Sequence, residues 1–241
     1  MVYYPVIIVL ILAIIDWIAA DKQWKVVEYF AKPATMLALL WWVWQSAGWG
    51  GSMLWFTLGA VFCLAGDVFL MVPRNMFIFG LVAFLLGHIC YILGLNGVPP
   101  FINLVGLGLL VILGKWLAII SLVLLVVYLI WLYPKLANGL KVQGKNSLKI
   151  PVLIYSLVIS LMVYSALMTW YRAGWSFVAA LSVSLGAVLF FASDSMLAWD
   201  RFLNPLPHAR LRVMVTYHLG QIGIILGAIL YVIAQSRAVV Y

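Results

Sequence analysis

Apolar runs of roughly 20 residues recur along the chain, separated by short stretches of Gly, Pro, Lys and Asn, and runs of this length cross a bilayer core as helices. Residues 3–20 form the first such run. It lacks the basic start and small-residue cleavage site of a signal peptide, so it is expected to stay as the first helix. Residues 21–30 are polar and mixed, after which Lys32-Pro33 is expected to open the second helix, with proline in the first turn where its missing N–H does no harm. That helix is expected to end near Ala47, before the turn at residues 48–52. The third run covers residues 53–72 and stops at Pro73, and the fourth covers 76–95. Gly80, Gly87 and Gly94 recur every seven residues in the fourth run, a stripe that admits a close neighbour.

Residues 101–113 break the pattern, because 13 apolar residues make only about 20 Å of helix against a hydrocarbon core of about 30 Å. The segment reads as a half-helix or an interfacial stretch. Full spans follow at 116–133, closed by Pro134, at 151–171 opened by Pro151, at 175–199 and at 213–235. Trp and Tyr at the run ends, such as Trp49, Trp116, Trp131 and Trp199, fit interfacial belts.

Charge decides the count. If 101–113 does not span, one side of the membrane holds Lys22, Lys25, Lys32, Arg74, Lys135, Lys141, Lys145, Lys149, Arg201, Arg210 and Arg212. The other side holds only Lys115, Arg172 and Arg237, which completes the 14 basic residues. If it spans, the split is even, so the positive-inside rule selects eight helices with the basic loops in the cytoplasm. The expected fold is an all-α polytopic bundle of eight transmembrane helices with an extra short apolar segment, in one domain over residues 1–241.

Composition agrees. The chain is 67% hydrophobic and 8% charged, far from the quarter charged of soluble domains, with a mean hydropathy of +1.18. A net charge of +8 brings nucleic acid to mind, but the basic residues are scattered over short loops and form no stripe with interleaved aromatics, so no nucleic-acid partner is expected. The partner is the lipid bilayer, and in a bacterium this would be the cytoplasmic membrane. Cys63 and Cys90 lie within predicted helices and follow no metal-ligand spacing.

Against this background two carboxylates stand out. Asp194, flanked by Ser193 and Ser195, interrupts an apolar run that starts at Ser176, and Asp67, preceded by Gly66, is the one ionisable side chain in residues 54–72. A charge at such a depth costs about 2.5–3.5 kcal/mol or more, so it needs a partner or a task. A buried structural pair is the plain alternative to catalysis. Asp16, Asp67 and Asp194 all lie near the cytoplasmic ends of their helices, and Lys32, Tyr217, His218 and Gln221 lie in the first turns of helices that start there. Tyr217, His218 and Gln221 are spaced so that the eighth helix can direct them at one neighbour. One polar pocket open to the cytoplasmic leaflet is expected, with His88 deeper. His88 could serve catalysis or an interhelical hydrogen bond. Asp16, Ser193, Tyr217, His218 and Gln221 are candidates for orienting substrate or simply for bridging helices. Lys32 could snorkel, pair with an aspartate or meet a phosphate, and Arg201 belongs to a basic loop that sets orientation or contacts a head group.

Lys32-Pro33, Gly66-Asp67, Gly87-His88 with Tyr91, Ser193-Asp194 and Tyr217-x-x-x-Gln221, in this order, resemble the YhhN-like, or lysoplasmalogenase, family over most of the chain. Residues 101–113 look like an insertion, and His218 stands where an aromatic residue such as Tyr is expected. The resemblance implies a membrane hydrolase that cleaves the vinyl-ether bond of lysoplasmalogens, a lysophospholipid substrate, and Asp67 and Asp194 as catalytic residues. The chemistry suits them. Protonation of the β-carbon gives an oxocarbenium ion that water captures, and two carboxyls in a poorly solvated pocket can divide into one protonated acid and one counter-charge. No metal or cofactor is required. Two other classes stay open: a metal-dependent lipid hydrolase using His88, His218 and the aspartates, which lacks H-x-x-x-H or H-E-x-x-H spacing, and a proton-coupled transporter, which lacks a visible internal repeat.

Overall fold

The computed structural model describes residues 4–72, 76–97 and 108–238. They form eight α-helices: α1 (Tyr4–Lys22), α2 (Lys25–Ala47), α3 (Leu54–Met71), α4 (Phe77–Asn96), α5 (Gly108–Val142), α6 (Lys149–Leu167), α7 (Phe177–Phe202) and α8 (Ala209–Ala238). Seven are long and apolar enough to cross a membrane; α2, with Lys25, Glu28, Lys32 and Gln45, is the other and packs among α1, α3 and α8. The protein is an integral multi-pass membrane protein of all-α architecture.

Helix hairpins form the framework. α1 pairs with α2, α3 with α4 and α7 with α8, while α4 and α6 join the last two hairpins and α8 closes against α1. The α7–α8 seam is the tightest, because glycines face each other there: a Cβ on Gly186 would lie 2.5 Å from the backbone nitrogen of Ile224. Gly227 meets the carbonyl of Ala179 in the same seam. The glycine stripe of α4 faces α3, as its spacing suggests, with Gly80, Gly87 and Gly94 against Leu70, Cys63 and Phe56.

Three boundaries differ most from the sequence reading. α2 starts at Lys25, and Pro33 is inside it instead of in its first turn. The reason is the buried stripe Glu28, Ala31, Lys32, Thr35, Met36 and Leu39, which keeps helical spacing straight through the proline. α5 likewise continues through Pro134 to Val142. Leu132, Leu136 and Leu140 hold this extension against Val152 and Phe202 in a small second core, and Gly139 lets it meet the carbonyl of Phe202. Finally, residues 108–113 of the short apolar segment are the first turns of α5; residues 101–107 lie outside the described residues.

The basic loops share one end of the bundle. Gln143 donates to the carbonyl of Arg201 at 3.1 Å, Arg210 pairs with Glu28, and His208 contacts Asp21 at 3.1 Å. The α1–α2, α5–α6 and α7–α8 turns therefore lie together, as the charge split requires. By the positive-inside rule this end is the cytoplasmic one.

Candidate functional site

Helix packing gathers the polar side chains into three small clusters beneath the basic end. In the first, Lys32 of α2 reaches Asp67 of α3, with Nζ 2.9 Å from Oδ1, and Tyr217 of α8 donates its hydroxyl to Oδ2 at 2.6 Å. Lys32 lies on the buried stripe of α2 and Asp67 on the inner face of α3, so both are almost wholly removed from solvent. Gly66 allows the Phe84 ring of α4 to press against α3 beside them. A buried carboxylate here is matched by a cation and a hydroxyl, the minimum that offsets its desolvation.

The second cluster joins α4, α6 and α7. Tyr155 donates its hydroxyl to Oδ2 of Asp194, and His88 Nε2 lies 2.9 Å from the Tyr155 oxygen and 3.4 Å from the same carboxylate oxygen. His88 is fully buried, and the Asp194 side chain is 14% exposed. No hydrogen bond among the described residues engages Asp194 Oδ1. Phe190 packs against both clusters: its ring centroid is 4.7 Å from that of His88 and 5.3 Å from that of Tyr217. Each aspartate has its own donors.

In the third cluster Trp17 Nε1 donates to His218 Nδ1 at 3.1 Å and to the Met214 carbonyl at 3.2 Å. Asp16 is fully buried, and its nearer oxygen is 4.0 Å from His218 Nδ1, too far for a hydrogen bond. The remaining sequence candidates bridge helices. Tyr91 donates to Gln221 Oε1 at 2.5 Å, and Ser193 donates to the Val213 carbonyl at 3.0 Å. The polar set of α8 is therefore not aimed at one neighbour. Tyr217 turns to α3 and Gln221, one turn on along the same face, to the adjoining α4, while His218, rotated by about 100° from Tyr217, turns to α1.

A narrow, partly open cavity lies between α4, α5, α6 and α7. Its walls are largely apolar, including Leu81, Phe84, Leu129, Leu132, Ile159 and Phe191, and among the described residues its one carboxyl is that of Asp194. Ser156, Ser195, Tyr128, Tyr155 and Arg201 are the other polar groups that the described residues place in it. Asp67 is not in the wall. A second, polar recess adjoins it toward the basic end, lined by Lys25, Glu28, Lys32, Asp200, Arg201 and Arg210 among others. Leu70, Leu197 and Arg201 border both spaces. Arg201 carries its guanidinium 4.0 Å over the Phe77 ring and makes no ion pair among the described residues. Asp194, Leu197, Ala198 and Arg201 form one face of α7, so the carboxyl and the free cation lie about two helical turns apart along a single wall.

Sequence reasoning missed Tyr155. It is one tyrosine in an apolar span, and nothing local separates it from the belt tyrosines at span ends. The Arg210–Glu28 pair was equally invisible, since its partners are 182 residues apart. Among the described residues no three His, Cys, Asp or Glu side chains converge in the manner of metal ligands.

The profile of the YhhN family matches residues 27–228. The chain is 32% identical over 227 residues to the mouse (Mus musculus) protein named lysoplasmalogenase TMEM86B, covering 93% of this chain and 85% of that one. It is 32% identical over 157 residues to the lysoplasmalogenase of Mycobacterium tuberculosis, 64% of this chain and 52% of that one. The bovine (Bos taurus) lysoplasmalogenase TMEM86A is 28% identical over 176 residues, 71% of this chain and 64% of that one. No solved structure matches the chain.

Proposed function

Because the chain belongs to the YhhN family, we propose that it is a lysoplasmalogenase: a membrane hydrolase that cleaves the vinyl-ether bond of lysoplasmalogens to a fatty aldehyde and a glycerophospho-alcohol. The observation that carries the reading is the juxtaposition along α7 of an apolar cavity, one partly accessible carboxyl and a free guanidinium. The alkenyl chain fills the cavity, the vinyl ether lies at Asp194, and the phosphate lies at Arg201 with the polar recess around it.

Of the two aspartates, Asp194 is assigned as the acid. Its Oδ1 gives a proton to the β-carbon of the vinyl ether; the π electrons form the new C–H bond, and the ether oxygen shares a lone pair to give an oxocarbenium ion. Tyr155 and His88, both at Oδ2, hold the carboxylate left behind. Water adds to the oxocarbenium carbon and returns a proton to Asp194. The hemiacetal then collapses: its hydroxyl proton is lost, the C–O bond to glycerol breaks, and the glycerol oxygen gains a proton. One water is consumed and no net proton.

Asp67 works at one remove. Its ion pair with Lys32 fixes Tyr217, whose ring packs on Phe190, and Phe190 packs on His88. In this assignment the Asp67 charge is already balanced by Lys32, and its task is to position the wall behind the acid.

The test is release of aldehyde from a lysoplasmalogen by the purified protein in detergent, with and without a chelator. Release that the chelator leaves unchanged is expected. No release would overturn the reading, and loss on chelation would transfer it to a metal-dependent hydrolase. Arg201→Gln should raise KM roughly 10- to 100-fold with kcat little changed, as a charge-assisted contact present equally in ground and transition states requires. The same variant should handle an alkenylglycerol without phosphate as the wild type does. An unchanged KM for the phospholipid would remove Arg201 from the head-group site.

A further inference from the structure

We propose that Ser195 reads the free sn-2 hydroxyl of the lysolipid, which makes it a specificity-determining residue of the cavity; this rests on the lysoplasmalogenase reading. Its hydroxyl hydrogen is committed, since Oγ donates to the Phe191 carbonyl at 2.7 Å. The lone pairs that remain make Ser195 an acceptor in the cavity wall. The neighbouring polar groups have other tasks: Asp194 Oδ2 is held by Tyr155 and His88, and Arg201 can only donate.

Position selects Ser195 over Ser156, whose hydroxyl is committed in the same way, to the Val152 carbonyl at 2.8 Å. α7 runs toward the basic end, so Ser195 lies one step from Asp194 on the side of Arg201 and the polar recess. α6 runs the opposite way, which puts Ser156 one step from Tyr155 on the side of the alkenyl chain. The sn-2 oxygen is vicinal to the vinyl-ether oxygen and lies between it and the phosphate. A vinyl ether at Asp194 with its phosphate toward Arg201 therefore brings the sn-2 oxygen past Ser195.

A free hydroxyl donates to the waiting lone pair. An esterified sn-2 position brings only acceptors to an acceptor, so the hydrogen bond is lost. Ser195 thus favours lysolipids over their diradyl parents by hydrogen-bond polarity.

The experiment compares aldehyde release from a lysoplasmalogen, its 2-deoxy analogue and its 2-O-methyl analogue. The wild type should prefer the parent over each analogue by about 3- to 10-fold in kcat/KM, the span of a neutral hydrogen bond. In Ser195→Ala the preference over the deoxy analogue should fall to within about twofold, while Ser195→Thr, which keeps the oxygen, should retain it. A merely structural role would lower all three substrates together and leave the ratios intact, which would overturn the proposal. Wild type that turns over parent and analogues equally overturns it without any variant. If the parent itself gives no aldehyde, the lysoplasmalogenase reading fails and this proposal fails with it; aldehyde from the parent with no discrimination sinks the sn-2 contact alone.

Discussion

Asp194→Asn should lower kcat for aldehyde release by about 10²- to 10⁴-fold, the usual worth of a positioned general acid, and leave the protein folded. An amide cannot deliver a proton to carbon, and it cannot take one back from the attacking water. The substitution is otherwise mild. Asparagine keeps the size of the side chain and can still accept from Tyr155 through its carbonyl oxygen, and among the described residues no Lys or Arg is paired with Asp194. A thermal melt in detergent close to that of the wild type, with bound lysolipid retained, would separate loss of chemistry from loss of fold. Turnover within about tenfold of wild type in a folded Asp194→Asn protein would fall below the range of acid catalysis and end the assignment. Tyr155→Phe offers a graded companion, because it removes one donor from Oδ2 and leaves His88 in place.

How far the sequence carried this site depends on which residue is asked about. The membrane class and the number of helices were legible because a bilayer imposes its own thickness on apolar runs, and the basic loops record which end is which. The aspartates were legible for the same reason: a carboxylate inside such a run stands out. Their partners were legible only in part. Pairing with an aspartate was one of three readings open for Lys32, but which aspartate was hidden, because the charged first turns of α2 mask a buried stripe that only the packed structure reveals. Tyr155 and His88 meet Asp194 from helices 39 and 106 residues away, and no local pattern encodes that meeting. Pro134 misled for a related reason. Proline removes one hydrogen bond from a helix, but Leu136 and Leu140 recover the continuation through contacts with Val152 and Phe202. The two aspartates drew equal weight from sequence because insertion cost is a property of depth; which one borders the cavity is a property of helix rotation.

That difference gives the Lys32–Asp67 pair a distinct signature. Asp67→Asn should destabilise the protein by about 3–5 kcal/mol, because it leaves the Lys32 ammonium buried without a counter-charge. The melting temperature in detergent should fall by on the order of 10 °C. Lys32→Met should do comparable harm from the other side, leaving the Asp67 carboxylate with only the Tyr217 hydroxyl. The double variant Lys32→Met/Asp67→Asn removes both charges and keeps an oxygen for Tyr217, so it should recover most of the lost stability, since neutral replacement of a buried pair is often neutral or favourable. Activity is the decisive reading. If Asp67 acts through the ion pair on Tyr217 and Phe190, the double variant regains at least a tenth of wild-type turnover along with its fold. If instead the Asp67 charge itself steadies the oxocarbenium ion, the double variant melts like the wild type and stays as inactive as Asp194→Asn. The second outcome would return both aspartates to the reaction; the first leaves Asp194 as the acid and makes Lys32–Asp67 the fixed support behind it.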